Sequence, residues 1–438
     1  MRREPGISGL SVVFSAWHDP VARILNVDLL TVLIAILLPW STTGVVIAAV
    51  LWIIALIPTL EVRAFLRSLT RPICVLPIAF LALALVGTLW SDALWNERLF
   101  AVRPTAKLLV LPLLLYHFER STRGVWVFIA FLASCTLLMA ASWLVAFDPA
   151  FTLKATGDRV CGVFVKNYID QSQEFVLCAI ALAYPVMILL KEKKRLLAGL
   201  LVAIALSFIV NMVFVIASRM ALATMPIMIF VFALLHLKWR SIVLVSMITV
   251  IAGLAWAMTP RLCRTVETLS KDYSLYRELN IATSVGLRLE FWTKSLHFIR
   301  KAPIVGHGTG SIRGLFEQAA TGPADDEIAL RQFGASGQVV ANPHNQTLSV
   351  AIQWGVVGVI VLYAMWLFHL LLFRGDGLAA WVGLLVVVQN VLSSLFNSHL
   401  FDFHEGWMYV LGVGVAGGMT LSARQASIQD LHVDDRTL

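Results

Sequence analysis

Apolar residues come in long blocks along this chain, and polar residues collect between the blocks. Twelve stretches are nearly free of charge: 25–40, 43–58, 73–90, 105–118, 125–147, 175–190, 196–216, 220–236, 241–258, 348–372, 378–397 and 407–421. Most approach the roughly 20 residues that a helix needs to cross a hydrocarbon core of about 30 Å. The short alternating pattern of barrel strands is nowhere visible, so helices are predicted to do the crossing. The expectation is an all-α polytopic membrane protein with about twelve transmembrane helices and one large helical loop outside them.

The polar segments divide the chain. Residues 1–258 carry the first nine predicted spans, 259–347 one large loop domain, 348–421 the last three spans, and 422–438 a tail. Inside the loop, "TSVGLRLEFWTKSLHFIRKAP" predicts an amphipathic helix, with Leu289, Trp292, Leu296 and Ile299 at helical spacing. Thr283 or Ser284 supplies an N-cap and Pro303 a stop. "VGHGTGSI" then places three glycines in a tight turn, and residues 318–337 read as a polar surface loop.

Composition agrees with the pattern: 59% hydrophobic residues, 14% charged and a mean hydropathy of +0.83 exclude a soluble globule. Charge adds orientation. Basic residues gather at Arg2, Arg3 and Arg23 before the first span, and at Arg63, Arg67 and Arg71 after the second. They recur at Arg120 and Arg123, at Lys191, Lys193, Lys194 and Arg195, at Lys238 and Arg240, at Arg374, and at Arg424 in the tail. The positive-inside bias places all of these loops and both termini in the cytoplasm. The net charge of +8 therefore reflects topology and does not imply nucleic acid. No small-residue cleavage site follows the first apolar run, so that helix is expected to be retained. Cys74, Cys135 and Cys178 fall within spans; Cys161 and Cys263 lie outside, and no spacing pattern supports a disulfide between them.

With short loops inside, chemistry is expected on the outer face, in 148–174 and 259–347. Arg219 is the one formally charged residue from Leu196 to Leu237, and the flanking basic clusters place it at the outer tip of a helical hairpin. A charge at the bilayer centre costs roughly 2.5–3.5 kcal/mol, so such arginines are usually paired or functional; the alternative is that Arg219 snorkels to the head groups. Arg288 begins the amphipathic helix, where it otherwise reads as a surface residue pairing with Glu290. His344 stands in "ANPHNQTLSVAIQWG" at the mouth of the tenth span. Pro343 fixes its own φ and pushes Asn342 toward an extended conformation, which presents the imidazole beside Asn345 and Gln346. A lone histidine is more often a packing residue, but at this junction an imidazole is suited to accept a proton. Metal ligands and cofactors are not expected: Asp92, Asp158, Asp325 and Asp326 are scattered, and the acids at 325–327 belong to the polar loop.

Several stretches follow one another in a familiar order. "GVFVKNYIDQSQ" at 162–173 precedes "SR" at 218–219; "RLEFW" at 288–292 is followed by "GHG" at 306–308; "HN" at 344–345 is followed by Leu348 and Gly355. Over residues 160–360 the chain thereby resembles the O-antigen ligase superfamily, which includes WaaL-type lipopolysaccharide ligases, Wzy polymerases and bacterial O-oligosaccharyltransferases. The resemblance rests on the order of the motifs, none of which is specific alone. It implies a GT-C-type glycosyltransferase at the periplasmic face of the bacterial inner membrane, using a glycan on undecaprenyl pyrophosphate and no nucleotide sugar. It carries the essential roles onto Arg219, Arg288 and His344.

The chain ends soon after its last predicted span, which favours the O-antigen ligase, with lipid A–core oligosaccharide as acceptor, over the longer protein oligosaccharyltransferases. Planar guanidinium groups can stabilise a pyrophosphate leaving group without a metal, and His344 as general base predicts inversion at the anomeric carbon. Arg98, Arg103, Lys107, Arg159, Lys166, Trp292 and Asn345 are further candidates for substrate binding, each cation having interfacial anchoring as its alternative. A Wzy-type polymerase or protein oligosaccharyltransferase would differ in acceptor. A lipid or polysaccharide transporter would carry deep charges near the midplane and, often, related halves.

Overall fold

The computed structural model of the protein describes residues 19–153, 162–216, 218–239, 271, 274–275, 284–321 and 339–434, and the regular structure among them is helical. A hairpin of α1 (Pro20–Leu37) and α2 (Thr42–Leu56) leads to the short α3 (Val62–Leu69) and to α4 (Pro72–Val86). Next come α5 (Trp95–Ala106) and α6 (Val110–Phe118), which run on from one another as one helical body, then α7 (Gly124–Phe147). A second body joins α8 (Tyr168–Ala181) to α9 (Ala183–Lys191), followed by α10 (Arg195–Asn211) and α11 (Arg219–His236). The segment predicted as an outer domain contains α12 (Ser284–Lys301) and α13 (Ser311–Thr321), followed by α14 (Gln346–Leu372), α15 (Leu378–Ser393) and α16 (Phe403–Asp434).

Among the described residues, eight helical bodies are long and apolar enough to cross a membrane, or nine if α3 and α4, bent by 80°, form one broken span. Shorter apolar helices, Ala223–His236 and α15, stand where spans 220–236 and 378–397 are predicted. The predicted span 241–258 lies outside the described residues, as do Arg159, Cys161, Cys263 and the acids at 325–327.

Close backbone approach explains why α16 is rich in glycine. A Cβ at Gly414 would lie 2.5 Å from Leu114 Cβ, and one at Gly418 would lie 2.6 Å from Phe118 Cβ. Lipid tails are as apolar as leucine, so association of membrane helices depends on small residues that admit a neighbour's side chains. Here a glycine pair four residues apart receives Leu114 and Phe118, themselves four apart on α6.

Two boundaries differ from expectation. The span predicted to begin at 105 starts at Trp95, because Arg103 and Lys107, which break the apolar run, face the polar site rather than lipid. In the predicted outer domain α12 forms as expected, and of its predicted stripe Trp292 and Ile299 pack against the apolar cluster while the two leucines do not. Leu289 and Leu296 are 36% and 50% exposed, whereas Phe291 and Phe298 are buried. These rings meet Phe316 of α13 edge-on at 5.8 and 5.3 Å. Aromatic pairs of this geometry add to what area burial gives, so the phenylalanines set the packed face. Glu290 and Lys294, also buried, pair at 2.6 Å.

Helix α14 is broken. Gly355 has φ 58° and ψ −153°, and the segment 303–308 docks into the break. Val356 N–H donates to the Pro303 carbonyl at 2.8 Å, while His307 and Gly308 N–H donate to the Ile352 and Gln353 carbonyls, each at 2.8 Å. A Cβ at Gly355 would approach the Ile304 carbonyl carbon to 2.3 Å. The glycine-rich turn is therefore a strap that satisfies the carbonyls freed by the kink and ties α12 to the N-terminal half of α14.

Candidate functional site

His344 sits in the turn before α14 with φ +55°, a left-handed conformation uncommon outside glycine. Asn342 holds it there: Asn342 Oδ1 accepts from the His344 N–H at 2.9 Å and from Ser398 Oγ at 2.8 Å. The turn is closed from the other side by the α15–α16 connection. Asn397 Oδ1 lies 3.0 Å from His344 Nδ1 and accepts from Asn342 Nδ2 at 2.9 Å; Asn397 Nδ2 donates to Asp402 Oδ2 at 2.7 Å. This last bond fixes the amide. An amide nitrogen facing a carboxylate leaves its oxygen toward the imidazole, so Nδ1 must carry a proton and the neutral ring keeps its lone pair on Nε2. Phe291 of α12 lies against the ring, centroids 6.3 Å apart.

Behind Asp402 the polar groups continue into the bundle. Lys107 Nζ donates to the carbonyls of Asp402 and, at 3.3 Å, Phe401. His404 Nδ1 meets Asp170 Oδ2 at 2.6 Å. His399 lies 3.2 Å from Asp402 and 3.4 Å from Glu405. Burial opposes the charge on His399, but the Asp402 and Glu405 carboxylates that face its Nδ1 outweigh it and lift the imidazole to about 9. These three side chains offer ligand atoms within 4.8 Å of one another, a grouping the sequence reading did not contain. Both carboxylates face His399 Nδ1, and Lys107 reaches the neighbouring backbone carbonyls, so the described residues form an ion-pair cluster here.

The candidate residues are only partly brought together. Arg288 is exposed on α12 one turn before Phe291, hence on the face that meets His344, and no carboxylate pairs with it among the described residues. Arg219 begins α11 after the N-cap Ser218, whose hydroxyl accepts from Ser172 Oγ of α8 at 2.9 Å. That contact places the start of α11 at the end of α8 that holds Asp170 and, through it, His404. Trp292 packs against the outer aromatic cluster, and its Nε1 has no hydrogen-bond partner among the described residues.

Other candidates have structural contacts. Asn345 caps α14 by accepting from Leu348 N–H at 3.0 Å and donates to the Leu395 carbonyl at 3.0 Å. Arg98 donates to the Ala93 and Thr88 carbonyls at 2.6 and 2.8 Å and lies over Trp95, so it braces its own turn. Lys166 donates to the Leu38 carbonyl. Arg103 remains exposed and lines a cavity of about 650 Å³ whose other wall carries Asn342, Ser349, Gln353, Ser398 and Asp402.

Asn397, Ser398 and Asp402 were missed by sequence reasoning, because "NSHLFDFHE" reads as a connector between two spans. Its signal was density: several hydrogen-bonding and ionisable side chains within nine residues, at a membrane boundary, in a chain with 14% charge.

Fold and site together define a multi-pass all-α membrane protein with a histidine-centred polar site where a broken helix meets α12 and its glycine-rich strap. Residues 208–363 match the family model described as O-antigen ligase, a segment that contains Arg219, Arg288 and His344, and this match supports membership of the O-antigen ligase superfamily. No curated protein matches the chain significantly.

Proposed function

We propose that the protein is an O-antigen ligase. It moves a glycan from undecaprenyl pyrophosphate to a sugar hydroxyl of lipid A–core oligosaccharide at the periplasmic face of the inner membrane, in a GT-C-type arrangement. The observation that supports this reading is the pinned tautomer of His344: with Nδ1–H held by Asn397, Nε2 is left as the basic atom, at the junction of membrane and outer domain.

His344 Nε2 removes the proton from the acceptor hydroxyl as its oxygen bonds to the anomeric carbon. The bond from that carbon to the pyrophosphate oxygen breaks in the same displacement, so the configuration inverts. Negative charge builds on the departing pyrophosphate, and Arg288 and Arg219 stabilise it through charge-assisted hydrogen bonds in place of a metal. The cavity lined by Arg103, Asn342, Ser398 and Asp402 adjoins the base and is assigned to the sugar nearest the reacting hydroxyl.

The test uses purified protein in detergent with an undecaprenyl-pyrophosphate-linked glycan, lipid A–core acceptor and EDTA. Transfer to lipid A–core by the wild type, lost in His344→Ala and in Arg288→Ala, is the expected result. Extension of the glycan on its own carrier lipid would instead identify a polymerase, and normal transfer by both variants would remove these residues from the site.

A further inference from the structure

At the opposite end of the bundle from His344 lies a second polar cavity that the transfer reaction does not use. From Phe403, beside the site, α16 rises to Gln425, a distance of about 33 Å at 1.5 Å per residue, which is close to the hydrocarbon thickness of about 30 Å. There, a cleft of about 390 Å³ opens between α3, the start of α4, the turn after α6 and α16, and it is lined by Arg67, Ser68, Arg71, Glu119, Arg120 and Gln425.

Its charges are unequally matched. Arg71 grips Glu119 with two parallel bonds of 2.8 and 2.9 Å, and Gln425 Nε2 also donates to Glu119. Among the described residues neither Arg67 nor Arg120 forms an ion pair, so the cleft carries two uncompensated guanidinium groups. Arg120 is held in advance: it lies 3.7 Å from the Tyr116 ring centroid and donates to the Tyr116 carbonyl at 3.0 Å. Tyr116 in turn is buried and accepts from the Glu61 N–H at 2.9 Å. The pre-positioned Arg120 and the unpaired Arg67 on the facing helix suit a phosphate oxygen cluster, while the Ser68 hydroxyl is spent on the Phe65 carbonyl at 2.7 Å.

Helix α3 indicates which phosphate. It lies at 80° to α4, the attitude of a helix in the interface plane, with Val62 and Leu66 exposed by 66% and 55% beside Arg63 and Arg67. An anion bound between Arg67 and Arg120 has the apolar surface of α3 next to it for acyl chains, which a soluble phosphate would leave unused. We propose that this cleft binds the phosphate of an anionic glycerophospholipid from the leaflet opposite the candidate active site.

The experiment is native mass spectrometry of the full chain in detergent, titrated with phosphatidylglycerol or with phosphatidylcholine of the same acyl composition. Wild type retains phosphatidylglycerol preferentially. Arg67→Gln combined with Arg120→Gln weakens that retention at least about tenfold, since both charge-assisted contacts to the phosphate are lost. Arg63→Gln, which removes an equal charge outside the cleft, leaves it within about twofold. If the double variant does not fold, Arg67→Gln alone is read against Arg63→Gln. Equal retention of both lipids, equal losses in the Arg63 and cleft variants, or full displacement of phosphatidylglycerol by millimolar inorganic phosphate each overturns the proposal.

Discussion

His344 shows how far a residue's chemistry can be read before its contacts are known. Its type and position were legible, as were those of Arg219 and Arg288, because a basic or titratable group at the edge of an apolar run is conspicuous. Its partner was not: Asn397 lies 53 residues away and has no charge to draw attention. Asn345, adjacent and polar, is the N-cap of α14, a role that its place before an apolar run did not distinguish from substrate binding. The contact with Asn397 carries a prediction. Asn397→Ala should lower kcat for glycan transfer by about a hundredfold or more, with KM changed little, because the imidazole is no longer held in the tautomer that keeps Nε2 basic. Steady-state kinetics at saturating acceptor would check it; an unchanged kcat would mean that the base is oriented by other contacts.

His399 gives a second prediction. Its folded-state value of about 9 lies above the ordinary histidine value of about 6.5. Stabilisation from its charge is therefore fully present below pH 6.5 and is lost as pH rises through 9. The difference corresponds to an effect of order 3 kcal/mol. Thermal unfolding midpoints should fall across this window in the wild type and fall less in His399→Asn.

At the scale of elements, a broken helix and a strap were hidden in a stretch that reads as one uniform apolar span. Periodicity locates helices but is silent about where a carbonyl is left without a partner. Gly355 and the glycines of "VGHGTG" were visible, yet sequence spacing alone does not say that they meet. The stripe of α12 was legible only in part for a related reason: Trp292 and Ile299 pack as expected, but Leu289 and Leu296 satisfy the helical period as well as Phe291 and Phe298 do, and Phe316 of α13 decides between them. The strap predicts that Gly355→Ala is destabilising, since alanine resists positive φ and its Cβ would collide with the Ile304 backbone. The strain alone is about 1–3 kcal/mol. A lowered unfolding midpoint together with lost transfer activity is expected, because the same break sets the position of the segment leading from His344. Gly375→Ala also replaces a positive-φ glycine but has open space around it and no contact with the strap; it should spare activity.

For the whole molecule, hydropathy located most of the long apolar helices among the described residues, since length and the absence of charge are all that crossing a membrane demands. Orientation is a separate matter, carried by the basic residues. Arg71, Arg120, Arg374 and Arg424 gather at one end, where Arg424 donates to the Leu372 and Arg374 carbonyls at 2.8 and 2.7 Å and Arg71 holds Glu119. His344 and the outer domain occupy the other end. If the basic end is cytoplasmic, Glu317 on α13 and Ser427 near the end of α16 lie on opposite sides of the membrane, separated by α14, α15 and α16. Cys74, Cys135 and Cys178 are buried, so replacing Cys161 and Cys263 with serine leaves a background in which introduced thiols can be labelled. A membrane-impermeant maleimide applied to intact spheroplasts should label Glu317→Cys at once and Ser427→Cys only after permeabilisation. The reverse pattern would put His344 in the cytoplasm, where a glycan already displayed on the outer leaflet could not reach it, and the proposed transfer reaction would have to be abandoned even if every distance around the histidine were correct.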